Sequence, residues 1–179
     1  VGEIKSTLDL ALERLKKIGI TEKEREEIKQ KEIHHKAVGF SNRFMDGSLS
    51  LHEIQKEIER MDENTKKRIK EILLAQLIEG LSLKTHDERL FAGIEWLKEK
   101  DLNEIKEEFQ NLLIQFEKEK EEIIKNVKDQ LIESLRRMGI QGSAIDVNIE
   151  SSNLWRQQHE KLNKIYQEKL NRIKDKLKV

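Results

Sequence analysis

The most specific chemical promise in this chain lies between Met45 and Ile54, which read MDGSLSLHEI. If Gly47 is set at the sixth place of a calcium-binding EF-hand loop, Asp46 falls at the fifth and Glu53 at the twelfth. The front half departs from the pattern. Asn42 stands at the first place and Phe44, which has no side-chain oxygen, at the third. Calcium takes about six to eight oxygens, and its affinity follows the charged ligands. The same letters also spell a turn between helices. Asp46-Gly47 would close one helix, with glycine left-handed, and Ser50-Leu51-His52-Glu53 would open the next as a capping box. The turn accounts for the whole stretch, so it is the reading adopted.

Glu32 and His35 form a Glu-x-x-His pair, the motif that di-iron helical bundles use twice. No second copy exists, because Leu49, Leu83 and Arg156 precede His52, His86 and His159 by three places. His34 and His35 are adjacent and would point apart on a helix. Gly39-Phe40-Ser41-Asn42-Arg43 begins like a nucleophile elbow but has Arg43 where glycine is required. No phosphate-loop or dinucleotide glycine pattern occurs. The sequence therefore calls for no cofactor and nominates no catalytic residue.

These stretches sit in a chain of 179 residues, 39% of them charged, with 35 basic and 35 acidic side chains in balance. That balance argues against nucleic acid or an anionic membrane as the partner. The chain has no cysteine, which removes disulfides and thiol chemistry and suits a reducing, cytoplasmic setting. No apolar run reaches the length of a membrane span, and the opening VGEIKS has no apolar leader. So polar a composition could signal disorder, but the apolar residues recur with helical period.

The pattern predicts an all-α protein with two parts. In residues 1–98, helices are expected at about 3–17 (Ile4, Leu8, Leu12, Leu15), from Thr21 to about Asp46, from Leu51 to about Met61, from Asp62 or Asn64 to about Gly80, and after a capping box at Thr85-His86-Asp87-Glu88. The run Ile72 to Leu81 is apolar nearly all round and is expected in the middle of this bundle. Gly39, inside the second helix, marks a weak point or a close-packing site. Trp96 is read as a packing residue.

Residues 101–179 read as a long antiparallel helical hairpin. Its first arm runs to Met138 and carries Ile105, Phe109, Leu112, Phe116, Ile123, Val127, Leu131, Leu135 and Met138, with Lys120 interrupting the series. The second arm, from Ser152, carries Trp155, His159, Leu162, Tyr166, Leu170, Ile173 and Leu177. Both series advance by about 3.67 residues per step, an eleven-residue rhythm that predicts a nearly straight pair. Charge supports the pairing. Residues 101–135 hold ten acids and five bases, and residues 152–179 hold three acids and eight bases.

The loop 139–151 joins the arms. Ile145, Val147 and Ile149 alternate there with polar residues, a strand-like pattern preceded by Ile140. These four are the candidate partner-binding residues, able to pair an edge or insert into another chain. The plainer alternative is that they cap the hairpin's own core.

The segments GEIKSTLDLALER, RFMDGSLSL and GIQGSAIDVN resemble small uncharacterised bacterial all-helical proteins. The resemblance implies a bacterial, cytoplasmic helical protein and transfers no activity. The expectation is a non-enzymatic interaction or scaffold protein, a homodimer or the binder of another protein. Two alternatives are carried. One is nucleic-acid binding through the basic last helix; the other is a metal-dependent enzyme around Glu32 and His35.

Overall fold

The structure is a computed structural model and describes residues 21–84, 88–140, 142 and 146–179. The expected first helix with Ile4, Leu8, Leu12 and Leu15, the capping box at Thr85, and Ile145 lie outside the described residues. The described residues hold six helices: α1 (Glu22–Met45), α2 (Leu51–Glu59), α3 (Glu63–Gly80), α4 (Glu88–Lys98), α5 (Asn103–Arg137) and α6 (Asn153–Lys178). The protein is all-α, and no described helix is long and apolar enough to cross a membrane. The chain divides after Leu77 into two compact units, with α3 running across the division.

In the first unit the helix starts follow from local chemistry. The Thr21 hydroxyl accepts from the Glu24 N–H, and the Glu24 carboxylate returns to the Thr21 N–H at 2.8 Å. Asp62 accepts from the Thr65 N–H at 3.0 Å and caps α3. Such caps satisfy backbone donors that a helix start leaves open. The core is Ile33, Ala37, Phe40 and Phe44 of α1, then Leu49, Ile54 and Ile58, then Ile69, Leu73 and Leu77 of α3, all buried. Each large apolar side chain there contributes about 1.5–3 kcal/mol by leaving water.

Two expectations are corrected here. The apolar run from Ile72 is not buried all round: Ala75 is exposed, and Ile72 and Leu74 are half-buried. Steps of four from Ile69 to Leu77 make one buried face, so one side suffices. Gly39 is not a close-packing site, since an added Cβ would meet nothing within 4 Å among the described residues.

In the second unit α5 and α6 lie side by side and run in opposite directions. Glu119 meets Tyr166 and, further along, Glu108 meets Lys176. The buried seam is Phe109, Leu112 and Phe116 with Leu162, Tyr166, Leu170, Ile173 and Leu177. The Phe116 and Tyr166 rings are 5.3 Å apart and tilted, the edge-to-face style that aromatic quadrupoles favour. Phe91 of α4 packs on Phe109 in the same way, at 5.3 Å. The seam thins away from this end. Ile123, Leu131 and Leu135 are half-buried and Met138 is 65% exposed, although Val127 is fully covered.

Three lysines tie helix ends together in this unit. Lys174, only 6% exposed, donates to the Glu79 carbonyl at 2.8 Å and to its carboxylate at 3.2 Å. Lys178 reaches the same carboxylate at 3.3 Å. Lys98 donates to the Leu177 carbonyl at 2.8 Å. The last carbonyls of a helix lack internal partners and carry the negative end of its dipole, so cations fit there.

Candidate functional site

A cleft of about 790 Å³ lies in the second unit. One wall is a ridge of α6, with Trp155, His159, Asn163 and Gln167 one turn apart. The other is Phe116, Glu117 and Lys120 of α5, and Ser82 to Lys84 and Glu150 complete the described lining. Trp155 stacks on His159 at 4.6 Å, with the rings 22° from parallel. The Asn163 amide lies 3.3 Å from the His159 ring nitrogen. Lys120 holds Glu117 at 2.9 Å and stands over the Phe116 ring at 5.9 Å. The site thus offers an aromatic platform, two amides and one internally neutralised ion pair. No group of three metal-ligating side chains occurs among the described residues.

Of the described candidate tip residues, Ile140, Val147 and Ile149 do not line this cleft, although Glu150 beside them does. Gly139 takes φ 79°, its N–H bonds to the Arg136 carbonyl, and the Ile140 N–H returns to the Leu135 carbonyl. This is a Schellman ending, with Ile140 just past the left-handed glycine. Ile140 is 49% exposed, while Val147 and Ile149 are half-buried. The described part of the alternating stretch is not a strand. Asn148 folds it into a turn, accepting from the Ser151 N–H at 3.2 Å and the Ser151 hydroxyl at 2.9 Å. That turn feeds directly into α6. A strand needs a ladder partner, and the short polar side chain of Asn148 offers the backbone a local turn instead.

The calcium-like stretch is occupied by its own hydrogen bonds. Gly47 has φ 80°, and Asp46 Oδ1 accepts from the Ser48 N–H at 2.8 Å. The Glu53 carboxylate accepts from the Ser50 hydroxyl at 2.6 Å and the Ser50 N–H at 2.8 Å. Those bonds hold the Glu53 carboxyl below its ordinary value, the hydroxyl bond most. Phe44 is buried rather than turned toward the loop. Glu32, His34 and His35 all lie exposed on α1.

Within the second unit, the basic character of α6 is partly spent on the chain itself, since Lys174, Lys176 and Lys178 each hold a carboxylate. Sequence reasoning placed Trp155 and His159 on an apolar stripe and missed Asn163 and Gln167 beside them. The available signal was Lys120, which breaks the stripe of α5 where the cleft opens. No protein-family model, no characterised protein and no solved structure matches this chain.

Proposed function

We propose that this is a non-enzymatic helical interaction protein. In this reading a bundle carries a long antiparallel hairpin of eleven-residue rhythm, and the hairpin surface or its tip binds a protein partner, with self-association as a homodimer included. The observation that carries it is apolar surface left in water at the far end of α5, where Met138 is 65% and Ile140 49% exposed. Isolated exposed apolar residues are ordinary, but two this close together at one helix end offer apolar surface of the kind that interaction sites use. The opposite net charges of the two arms support pairing within the chain rather than with nucleic acid. Residues 1–98 and 101–179 are the two parts this reading assigns.

The test is light scattering with size-exclusion chromatography on the full chain and on Ile140→Asn. The reading expects a concentration-dependent dimer, or binding to a partner, that Ile140→Asn weakens without loss of helicity. A monomer at every concentration that binds no protein counts against it.

A further inference from the structure

One face of the α5–α6 pair sorts its charge by helix. Along α5, Glu104, Glu108, Asn111, Gln115, Glu119 and Glu122 follow one another at steps of four or three and so form one stripe. Asn126, Asp129 and Glu133 continue it, and no base interrupts the series. Along α6, Lys161, Ile165, Lys169, Arg172 and Lys176 form a second stripe by the same steps, and it holds no acid. The two stripes border one groove of about 690 Å³, with Leu112 and Ile173 between them. Every member of either stripe is exposed, so the chain itself leaves this face open. Among the described residues the stripes share one ion pair, Glu108 with Lys176 at 2.6 Å. Glu104, Glu122, Lys161 and Arg172 have no ion pair or hydrogen bond to any described residue.

Such a face is complementary to itself. The helices are antiparallel, with Glu108 level with Lys176 and Glu119 level with Tyr166. A two-fold axis lying along the helices, above the face, lays the acidic stripe of a second copy on the basic stripe of the first at unchanged levels. Glu108 of each copy then meets Lys176 and Arg172 of the other, and Glu122 meets Lys161. A two-fold axis running across the helices lays acid on acid and base on base instead, so charge selects the first arrangement. Glu104 to Glu122 spans about 27 Å and two helices are about 20 Å wide, so the two copies together bury about 1,000 Å². That is the lower bound for a specific interface, and exposed ion pairs each add little. The complex is therefore weak and sensitive to salt.

We propose that this face binds a second copy of the chain, acidic stripe of α5 on basic stripe of α6, as four helices about a two-fold axis parallel to them. This rests on the interaction reading above and names the surface through which the chain meets itself.

The experiment is sedimentation equilibrium of the full chain in about 0.01 M and about 1 M salt, where charges are screened beyond about 30 Å and about 3 Å. It compares wild type, Glu122→Lys, Lys161→Glu, an equal mixture of those two variants, and Ile140→Asn, each checked for unchanged helicity. Glu122 and Lys161 are exposed, so both reversals leave the buried seam intact. The expected result is a dimer in low salt that dissociates in high salt, weakened about tenfold by either reversal and restored in the mixture. In the mixed pair every reversed charge faces its opposite on the other copy, a repair that an ion pair within one chain does not allow. A dimer indifferent to salt and to both reversals, but weakened by Ile140→Asn, would overturn this face and leave the interaction reading standing. A dimer strengthened by Glu122→Lys would mean acid lies on acid and would overturn the proposed axis. A monomer at every concentration would overturn the face and leave the interaction reading to stand on a different protein as partner.

Discussion

Tyr166 of α6 donates its phenol hydrogen to Glu119 of α5 at 2.7 Å, while its ring is fully buried against Phe116. The bond joins two residues far apart in sequence and fixes the register in which the helices pass. Burial, then the Glu119 carboxylate, pushes the phenol up to about 12. Both causes disfavour a phenolate.

Tyr166 is the only tyrosine, so its titration is readable by near-ultraviolet absorbance. The folded value lies above the ordinary one, so this group's contribution is complete below about pH 10 and fades as pH rises through about 12. The midpoint is expected about two units above free tyrosine. Glu119→Gln should lower it only part of the way, because burial is the larger cause. A wild-type midpoint near 10 in folded protein would mean the ring is not in this seam.

A second prediction concerns Glu79, which bonds from Lys174 and then Lys178 hold below 4.5. A depressed carboxyl stabilises above its unfolded value and loses that contribution as pH falls through the folded one. The carboxylate is largely exposed, so solvent screens the pair, and Glu79→Gln should cost about 0.5–1 kcal/mol near neutrality. The Glu79 carbonyl still accepts from Lys174 in that variant. Urea midpoints of variant and wild type should differ near neutrality and converge once the Glu79 carboxyl is protonated in acid. A gap that persists in acid contradicts the assignment.

Two glycines should respond to alanine with opposite sign. Gly47 sits at φ 80°, where a Cβ is strained, so Gly47→Ala should destabilise by about 1–2 kcal/mol. Gly39 is inside α1, and an added Cβ would meet none of the described residues within 4 Å, so Gly39→Ala should stabilise by about 0.5–1 kcal/mol. Thermal unfolding of both variants decides it. Equal signs would mean one local geometry is wrong.

The turn after α1 yields a fourth prediction. Ser50→Ala removes the hydroxyl that caps α2 and should cost about 1 kcal/mol, a fall of about 2–4 °C for a chain of this size. Adding calcium should leave the wild-type unfolding temperature unchanged, because Glu53 is turned onto Ser50. A calcium-dependent rise would restore the EF-hand reading.

Much of this fold was legible because helix signals are local. Thr21 and Ser50 announced helix starts, the start of α3 was narrowed only to Asp62 or Asn64, and Gly47 and Gly139 announced stops, from chemistry within four residues. The long buried stripes were also readable, since Phe109, Leu112 and Phe116 repeat at helical spacing opposite Leu162, Tyr166 and Leu170. The burial of Lys174 was not readable, since it depends on the far-off Glu79 carbonyl, ninety-five places away in the chain. The alternation around Val147 misled for a related reason. Period two is necessary for a strand, but only a neighbouring strand makes one, and Asn148 turned the backbone first. The cleft was half legible. Trp155 and His159 were visible as stripe positions, yet that their stretch of α6 borders an open cleft depends on where α3 and α4 stop, which no local pattern encodes.

The central claim is that α5 and α6 pair within one chain. The protein has no cysteine, so Glu108→Cys/Lys176→Cys supplies two reactive thiols at side chains that meet at 2.6 Å. With a short bifunctional maleimide at low protein concentration, the cross-linked product should keep the mass of a single chain. Linkage found only between chains, with no internally bridged monomer, would contradict the account.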